Sequence, residues 1–176
     1  MAPRPKNILL TGPPGCGKTT VIRRVVEQFR DRRLAGLYTE ELRQQGQRVG
    51  FAVVGLDGQK GILAHLDISG KHRVGRYGVD VDALERIVHD ELGKGQADVD
   101  LYVVDEIGKM ECFSALFREA ITKILAGPVP VLATIAIKGG GFIGRVKMRP
   151  DVEILTVTVG NRDRLPQELA ERLQTG

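Results

Sequence analysis

The segment Gly12-Pro13-Pro14-Gly15-Cys16-Gly17-Lys18-Thr19 constrains this chain more than any other stretch of it. It satisfies GxxxxGK[ST] at every position. A short apolar run ending at Leu10 precedes it, and Val21, Ile22, Val25, Val26 and Phe29 come after it at helical spacing. With 22 Gly in the chain the pattern arises by chance roughly once in a hundred such sequences. A chance match would not also fall between a strand and an amphipathic helix. Glycines let the backbone N–H groups curl inward to face phosphate oxygens, and the helix that starts there adds its positive dipole end. Lys18 supplies a point charge for β- and γ-phosphates, and the Thr19 hydroxyl is the expected Mg²⁺ ligand. The loop therefore implies a bound nucleoside triphosphate.

A second segment completes the first. Leu101, Tyr102, Val103 and Val104 form an apolar strand that ends in Asp105 and Glu106 and continues into Ile107 and Gly108. Behind a phosphate loop, such a strand is the Walker B pattern, whose Asp holds Mg²⁺, often through water. Glu106 is the natural residue to orient or deprotonate an attacking water; a merely solvent-facing Glu is the alternative. We assign residues 12–19 to nucleotide binding, Thr19 and Asp105 to the metal, and Lys18 and Glu106 to catalysis.

The rest of the chain reads as an α/β alternation. Strands are expected over 6–11, 37–39, 101–106, 129–137 and 152–159. Helices are expected from Lys18 to about Arg33, from a capping box at Asp82 and Glu85 to about Gly93, over 116–125, and from Pro166 onward. Arg30, Arg32 and Arg33 would then sit at a helix C-terminus, where cations are favoured. Between Arg48 and Leu66, two β-type runs flank Asp57-Gly58, a tight-turn signal with positive φ. Residues 69–78 read as irregular connection, and 139–149 as a mobile basic loop. The expectation is one α/β domain over 1–176, a P-loop fold with a mostly parallel sheet covered by helices on both faces and an inserted antiparallel hairpin.

Composition bounds the setting. A formal charge of +4 suits an acidic ligand such as a nucleotide. No segment approaches 18 uninterrupted apolar residues, and the N-terminal dozen reads as neither a leader nor a membrane span, so no membrane partner is expected. Cys16 and Cys112 are far apart and form no CxxC pair, which points away from zinc and disulfides and toward a reducing cytoplasm.

Two rival patterns fail. Asp105 to Gly108 also fits the DxxG of GTPases, but guanine selection there needs NKxD. The only asparagines are Asn7 and Asn161, and the latter lies in NRDR without the Lys. Residues 139–144 satisfy GxGxxG, yet a dinucleotide fold needs an apolar helix next and an acid about 20 residues on. The segment after Gly144 is instead basic, with Arg145, Lys147 and Arg149, and stops at Pro150.

Together these segments resemble the P-loop nucleoside triphosphatases first described from thermophiles, whose vertebrate branch is called cancer-related nucleoside triphosphatase. The similarity runs through TGPPGCGKTT, GLYTEELRQQGQRVGFAVVGLDG, RVGRYGVDVDALE, YVVDEIGKME, ATIAIKGGGFIGRVKMRP and VTVGNRD. TEELR and DEIGKME are far more specific than the phosphate loop. The resemblance implies a fold of the RecA and AAA+ branch, nucleotide binding by residues 12–19 and 101–108, and slow, Mg²⁺-dependent hydrolysis of several triphosphates with little base preference.

Secondary candidates surround this core. Thr134 is either a γ-phosphate sensor or a buried strand Thr. Arg145, Lys147 and Arg149 are candidate transition-state cations or a solvated loop. Asn161 and Arg162 either flank the base or form a turn that uses an Asn, and Glu41 and Arg43 lie beyond the second strand, where an acceptor or second ligand would sit. Competing functions are a small-molecule or polynucleotide kinase and a nucleotide-gated nucleic-acid-binding module. Nucleic acid is weakly supported: the basic residues are scattered, and five Phe, three Tyr and no Trp offer few stacking surfaces.

Overall fold

A computed structural model describes residues 5–174. The first four residues, part of the N-terminal dozen, and the last two lie outside the described residues.

Five parallel strands form the half of the sheet that carries the phosphate loop: β1 (Asn7–Thr11), β2 (Leu34–Gln44), β7 (Leu101–Ile107), β8 (Val131–Ile135) and β9 (Val152–Thr156), in the order β2-β7-β8-β1-β9. Four more strands extend it beyond β2: β3 (Gln47–Gly55), β4 (Lys60–His65), β6 (Tyr77–Val79) and β5 (Arg73–Val74), all antiparallel to their neighbours. Helices α1 (Lys18–Glu27) and α5 (Leu165–Gln174) cover one face; α2 (Val81–Leu92), α3 (Ala115–Ala126) and α4 (Gly141–Lys147) pack on the other. Strand β7 shows how the sequence divides between them. Leu101 and Val103 pack with α1 and α5, whereas Tyr102 and Val104 pack with α2 and α3. Such two-sided burial explains why the parallel strands read as continuous apolar runs.

Several expected boundaries move. Helix α1 stops at Glu27, not near Arg33, because Gln28 and Phe29 bond three residues back, to Val25 and Val26, and tighten the chain out of the helix. Phe29 still reaches the core, and Arg33 grips Asp100 through both guanidinium and backbone N–H instead of facing a helix end. The cap of α2 is Asp80, whose carboxylate accepts from Ala83 N at 2.9 Å; the expected Asp82 is inside the helix and Glu85 accepts from Ser114 Oγ.

The antiparallel part is larger than one hairpin. Strand β2 runs on to Gln44 and turns back at Gln45-Gly46, both with positive φ (49° and 78°), a turn carried by an uncommon Gln. At the Asp57-Gly58 hairpin only Gly58 has positive φ (94°), and the Gly55 N–H to Gln59 carbonyl bond closes a three-residue loop. Residues 69–78 hold the small β5–β6 pair, fastened by Tyr77 stacked edge-on against Phe51 with centroids 5.5 Å apart. Residues 141–147 form α4 rather than a mobile loop. Ile143 and Val146, one turn apart and buried, anchor it despite the flanking glycines. No helix among the described residues is long and apolar enough to cross a membrane.

Candidate active site

The loop between β1 and α1 has the conformation its glycines permit. Gly12, Gly15 and Gly17 have φ of 150°, 77° and 110°. A Cβ on Gly12 would lie 2.7 Å from Cys16 Sγ and 2.9 Å from the Val157 carbonyl oxygen, so that glycine is needed for space as well as for φ. Pro13, Pro14 and Gly15 form the exposed crest of the loop, and Cys16 N–H bonds back to the Pro13 carbonyl. Lys18 Nζ donates to the carbonyls of Gly12 (2.7 Å) and Pro13 (3.2 Å), which hold its ammonium over the loop rather than out in solvent.

Opposite the loop, Asp105 stands at the carboxyl end of β7, 5% exposed. Both carboxylate oxygens are engaged: Thr19 Oγ1 donates to Oδ2 at 2.8 Å and Thr134 Oγ1 to Oδ1 at 2.6 Å. Thr134 is fully buried on β8, so its hydroxyl orients Asp105 rather than reaching a phosphate. The Thr19 and Asp105 oxygens are hard donors, separated as adjacent corners of a Mg²⁺ octahedron are when metal–oxygen distances are about 2.0–2.1 Å. Among the described residues no three or more His, Cys, Asp or Glu are grouped so as to hold a metal ion.

Glu106 is half-buried. Burial foremost, then the Asp105 charge, raises its pKa above the ordinary carboxylate value, and Lys18 opposes the shift. A second acid, Glu111, is buried on the 3₁₀ turn Glu111–Phe113. Burial pushes it up to about 8, helped by the charges of Glu106 and Asp105. Gly108 separates the two acids: a Cβ there would meet Glu106 Oε1 at 2.6 Å and Glu111 Oε2 at 2.9 Å. The remaining members of 101–108, Leu101, Tyr102, Val103, Val104 and Ile107, are core side chains that carry the strand to the site.

The outlying candidates separate clearly. Lys147 Nζ donates to the Ile137 carbonyl and Arg149 pairs with Asp151, whereas Arg145 lies 5.8 Å from the centroid of Phe142 on α4. Asn161 closes its own turn: Oδ1 accepts from Thr158 N–H and Nδ2 donates to the Thr156 carbonyl. Arg162 packs over the phosphate loop, its Cδ 3.1 Å from where a Gly17 Cβ would be. Glu41 and Arg43 lie within β2, not beyond it, and Glu41 pairs with both Arg43 and Arg48 on the exposed hairpin. Sequence reasoning missed the orienting role of Thr134; Glu111 stood in plain view inside DEIGKME, but nothing local announced its burial.

Residues 7–170 match the family described as NTPase. The chain is 41% identical to the nucleoside-triphosphatase THEP1 of Thermotoga sp. (strain RQ2) over 95% of both chains, and 37% identical to the human cancer-related nucleoside-triphosphatase over 97% of both. Among solved structures, the crystal structure of THEP1 from the hyperthermophile Aquifex aeolicus superposes with a TM-score of 0.86 at 32% identity, covering 96% of this chain and 99% of that one. The solution structure of the human protein gives 0.83 at 36% identity, covering 99% of each. With its phosphate loop, its Asp105–Thr19 pair and its full-length similarity, the chain belongs to the NTPase family.

Proposed function

We propose that this chain hydrolyses the γ-phosphate of nucleoside triphosphates with Mg²⁺ and with little regard for the base. The observation that carries the reading is the Asp105 carboxylate clamped between Thr19 and Thr134, with Glu106 next to it and Lys18 over the loop. Thr19 and Asp105 would hold Mg²⁺, which when bound neutralises charge on the β- and γ-phosphates. Lys18 exchanges its loop carbonyls for phosphate oxygens. Thr134 keeps the Asp105 carboxylate in one orientation. Glu106 takes the proton of the attacking water as the new bond to γ-phosphorus forms; the bond to the β–γ bridging oxygen breaks, and the diphosphate leaves with that electron pair. The raised pKa makes Glu106 a stronger base than an exposed Glu.

Indifference to the base rests on the turn after β9. Asn161 spends its Oδ1 and one Nδ2 hydrogen on Thr158 and Thr156 and is held there as a turn residue, and no NKxD supplies a guanine-reading pair. The free thiols Cys16 and Cys112 suit a reducing compartment such as the cytoplasm.

Glu106→Gln keeps size and hydrogen-bonding capacity but accepts no proton, so single-turnover hydrolysis should fall by about 10²–10⁴ while Mg²⁺-ATP binding changes little. In the parent the acidic limb of turnover should lie above the ordinary carboxylate range, and it should vanish in the variant. Near-normal hydrolysis in Glu106→Gln refutes the assignment; lost binding would instead make Glu106 a metal ligand.

A further inference from the structure

Glu106 borders a second space besides the phosphate site. A cavity of about 290 Å³ lies against it, walled by Phe51 of β3, Leu63 of β4, Val74 of β5 and Met110, with Lys109 at its side. It stands beside the carboxyl ends of β7 and β8, where β2 passes beyond its pairing with β7 into the antiparallel extension, the edge at which open α/β sheets bind ligands. An attacking water needs no apolar chamber of this size. The volume suits one ring-sized organic group, at the lower limit of ordinary ligand pockets.

An adjoining cavity of about 470 Å³ shares Val74 and Lys109 with the first, and Arg73, Phe113 and Phe142 line it. No acid lines this outer space, and Lys109 makes no ion pair among the described residues. Its charge is therefore complementary to an anion. The two acids, Glu106 and Glu111, line only the inner cavity, and burial pushes Glu111 up to about 8.

We propose that these adjoining cavities together form a phosphoryl-acceptor site for a small alcohol with an apolar, ring-sized body and an anionic end group, which competes with water for the γ-phosphoryl. The hydroxyl points to Glu106, the body lies among Phe51, Leu63, Val74 and Met110, and the anion faces Lys109 and Arg73. In the transfer the alcohol oxygen bonds to γ-phosphorus, the bond to the β–γ bridging oxygen breaks, and the diphosphate leaves with the electron pair. The hydroxyl proton goes to Glu106, so the step rests on the proposed role of that residue in hydrolysis.

The test is product partition, read as the ratio of phosphate ester to inorganic phosphate from Mg²⁺-ATP. Benzyl alcohol and 4-(hydroxymethyl)benzoate serve as probes at about 0.1 M, against water at about 55 M, so unassisted capture gives about one ester per 500 phosphates. A held alcohol should exceed that at least tenfold, with the benzoate ahead of benzyl alcohol. Val74→Phe and Ala136→Leu, which narrow the inner cavity from two sides, should return the ratio to the unassisted value. Lys109→Ala should erase the preference for the benzoate. A parent ratio at the unassisted value for both probes overturns the proposal, as does an enhanced ratio that neither narrowing variant lowers. The ratio is measured on the parent, so it decides the acceptor site even where Glu106→Gln turns over normally and only the base assignment fails.

Discussion

The two halves of the sheet differ most in the polar side chains at the carboxyl ends of the parallel strands and along the antiparallel ones. In the parallel half the polar groups of the site are largely buried: Asp105 accepts from the buried Thr134 and from the exposed Thr19, and Glu111 is buried beside Gly108, while an exposed ion pair, Arg33 with Asp100, stands at the other end of β7. In the antiparallel half they are exposed ion pairs, Glu41 with Arg43 and Arg48, and Glu40 with Lys60. Removing one partner of a buried polar pair strands the other without water, at about 1–3 kcal/mol, whereas an exposed ion pair contributes about 0–1 kcal/mol. The parallel half therefore gains chemical definition from its polar groups at high risk. The antiparallel half gains solubility from its own, and its contribution to a site is apolar: Phe51, Leu63 and Val74.

The largest effect expected from this difference is at Asp105. Asp105→Ala removes the acceptor of two hydroxyls, one of them fully buried, and the carboxylate assigned to the metal. Turnover should fall by at least about 10³ and stability by about 1–3 kcal/mol, read by single-turnover hydrolysis and by urea unfolding. Adding Thr134→Val should restore part of the stability, because no buried hydroxyl is left unpaired, and none of the activity. If the double variant is less stable than Asp105→Ala alone, the buried hydrogen bond is not what the carboxylate provides.

Glu111 gives a smaller effect that depends on pH. Its folded pKa is raised from 4.5 to about 8. The folded state then holds a proton that the unfolded chain has released, so this contribution to stability is complete below about pH 4.5 and is lost as pH rises through about 8. The nucleotide-free, metal-free protein should lose up to about 1.4 kcal/mol per pH unit inside that window. Glu111→Gln, which cannot ionise, should flatten the slope and leave the variant more stable than the parent at pH 8. Parallel pH profiles for the two proteins would show that Glu111 ionises freely in the fold.

What was legible in the sequence divides along the same line. The phosphate loop lies in eight consecutive residues, and the Asp105-Glu106 pair ends one strand, so local pattern alone names them. Thr134 is 29 residues from Asp105 and looks like any other β-branched strand residue; only the β7–β8 register brings the two together. Glu111 is an acid on a turn until tertiary packing covers it. The cavity beside Glu106 is still less legible, since its walls come from β3, β4, β5 and the segment after β7. Glu41, singled out as lying where an acceptor would sit, does not line that cavity, whereas Thr39, two residues earlier on β2, does. In the antiparallel half, a Gln at positive φ and a two-residue strand gave periodicity nothing to register.

The smallest effect belongs to Glu41, and it tests the comparison from its weak side. Glu41 makes the densest charge cluster of the antiparallel half, with Arg43 at 2.7 Å and Arg48 at 3.1 Å. Hydrogen bonds from Arg43 first and Arg48 next hold its pKa below the ordinary value, yet the side chain is 41% exposed and its partners are 56% and 44% exposed. Water and salt screen such a cluster, and holding three long side chains in one geometry costs rotamer entropy. Glu41→Gln keeps the volume and one acceptor oxygen, so unfolding free energy should change by less than about 0.5 kcal/mol, and by less still in high salt. Arg48 keeps its bond to the Tyr77 hydroxyl and its place over the Phe51 ring, so the wall of the cavity beside Glu106 should stand. Hydrolysis and the ester-to-phosphate ratio should both match the parent. A loss above about 1.5 kcal/mol would place this pair among the buried networks rather than the screened ones. A changed ester ratio would show that the exposed hairpin reaches the site, and the two halves could no longer be treated as separate in chemistry.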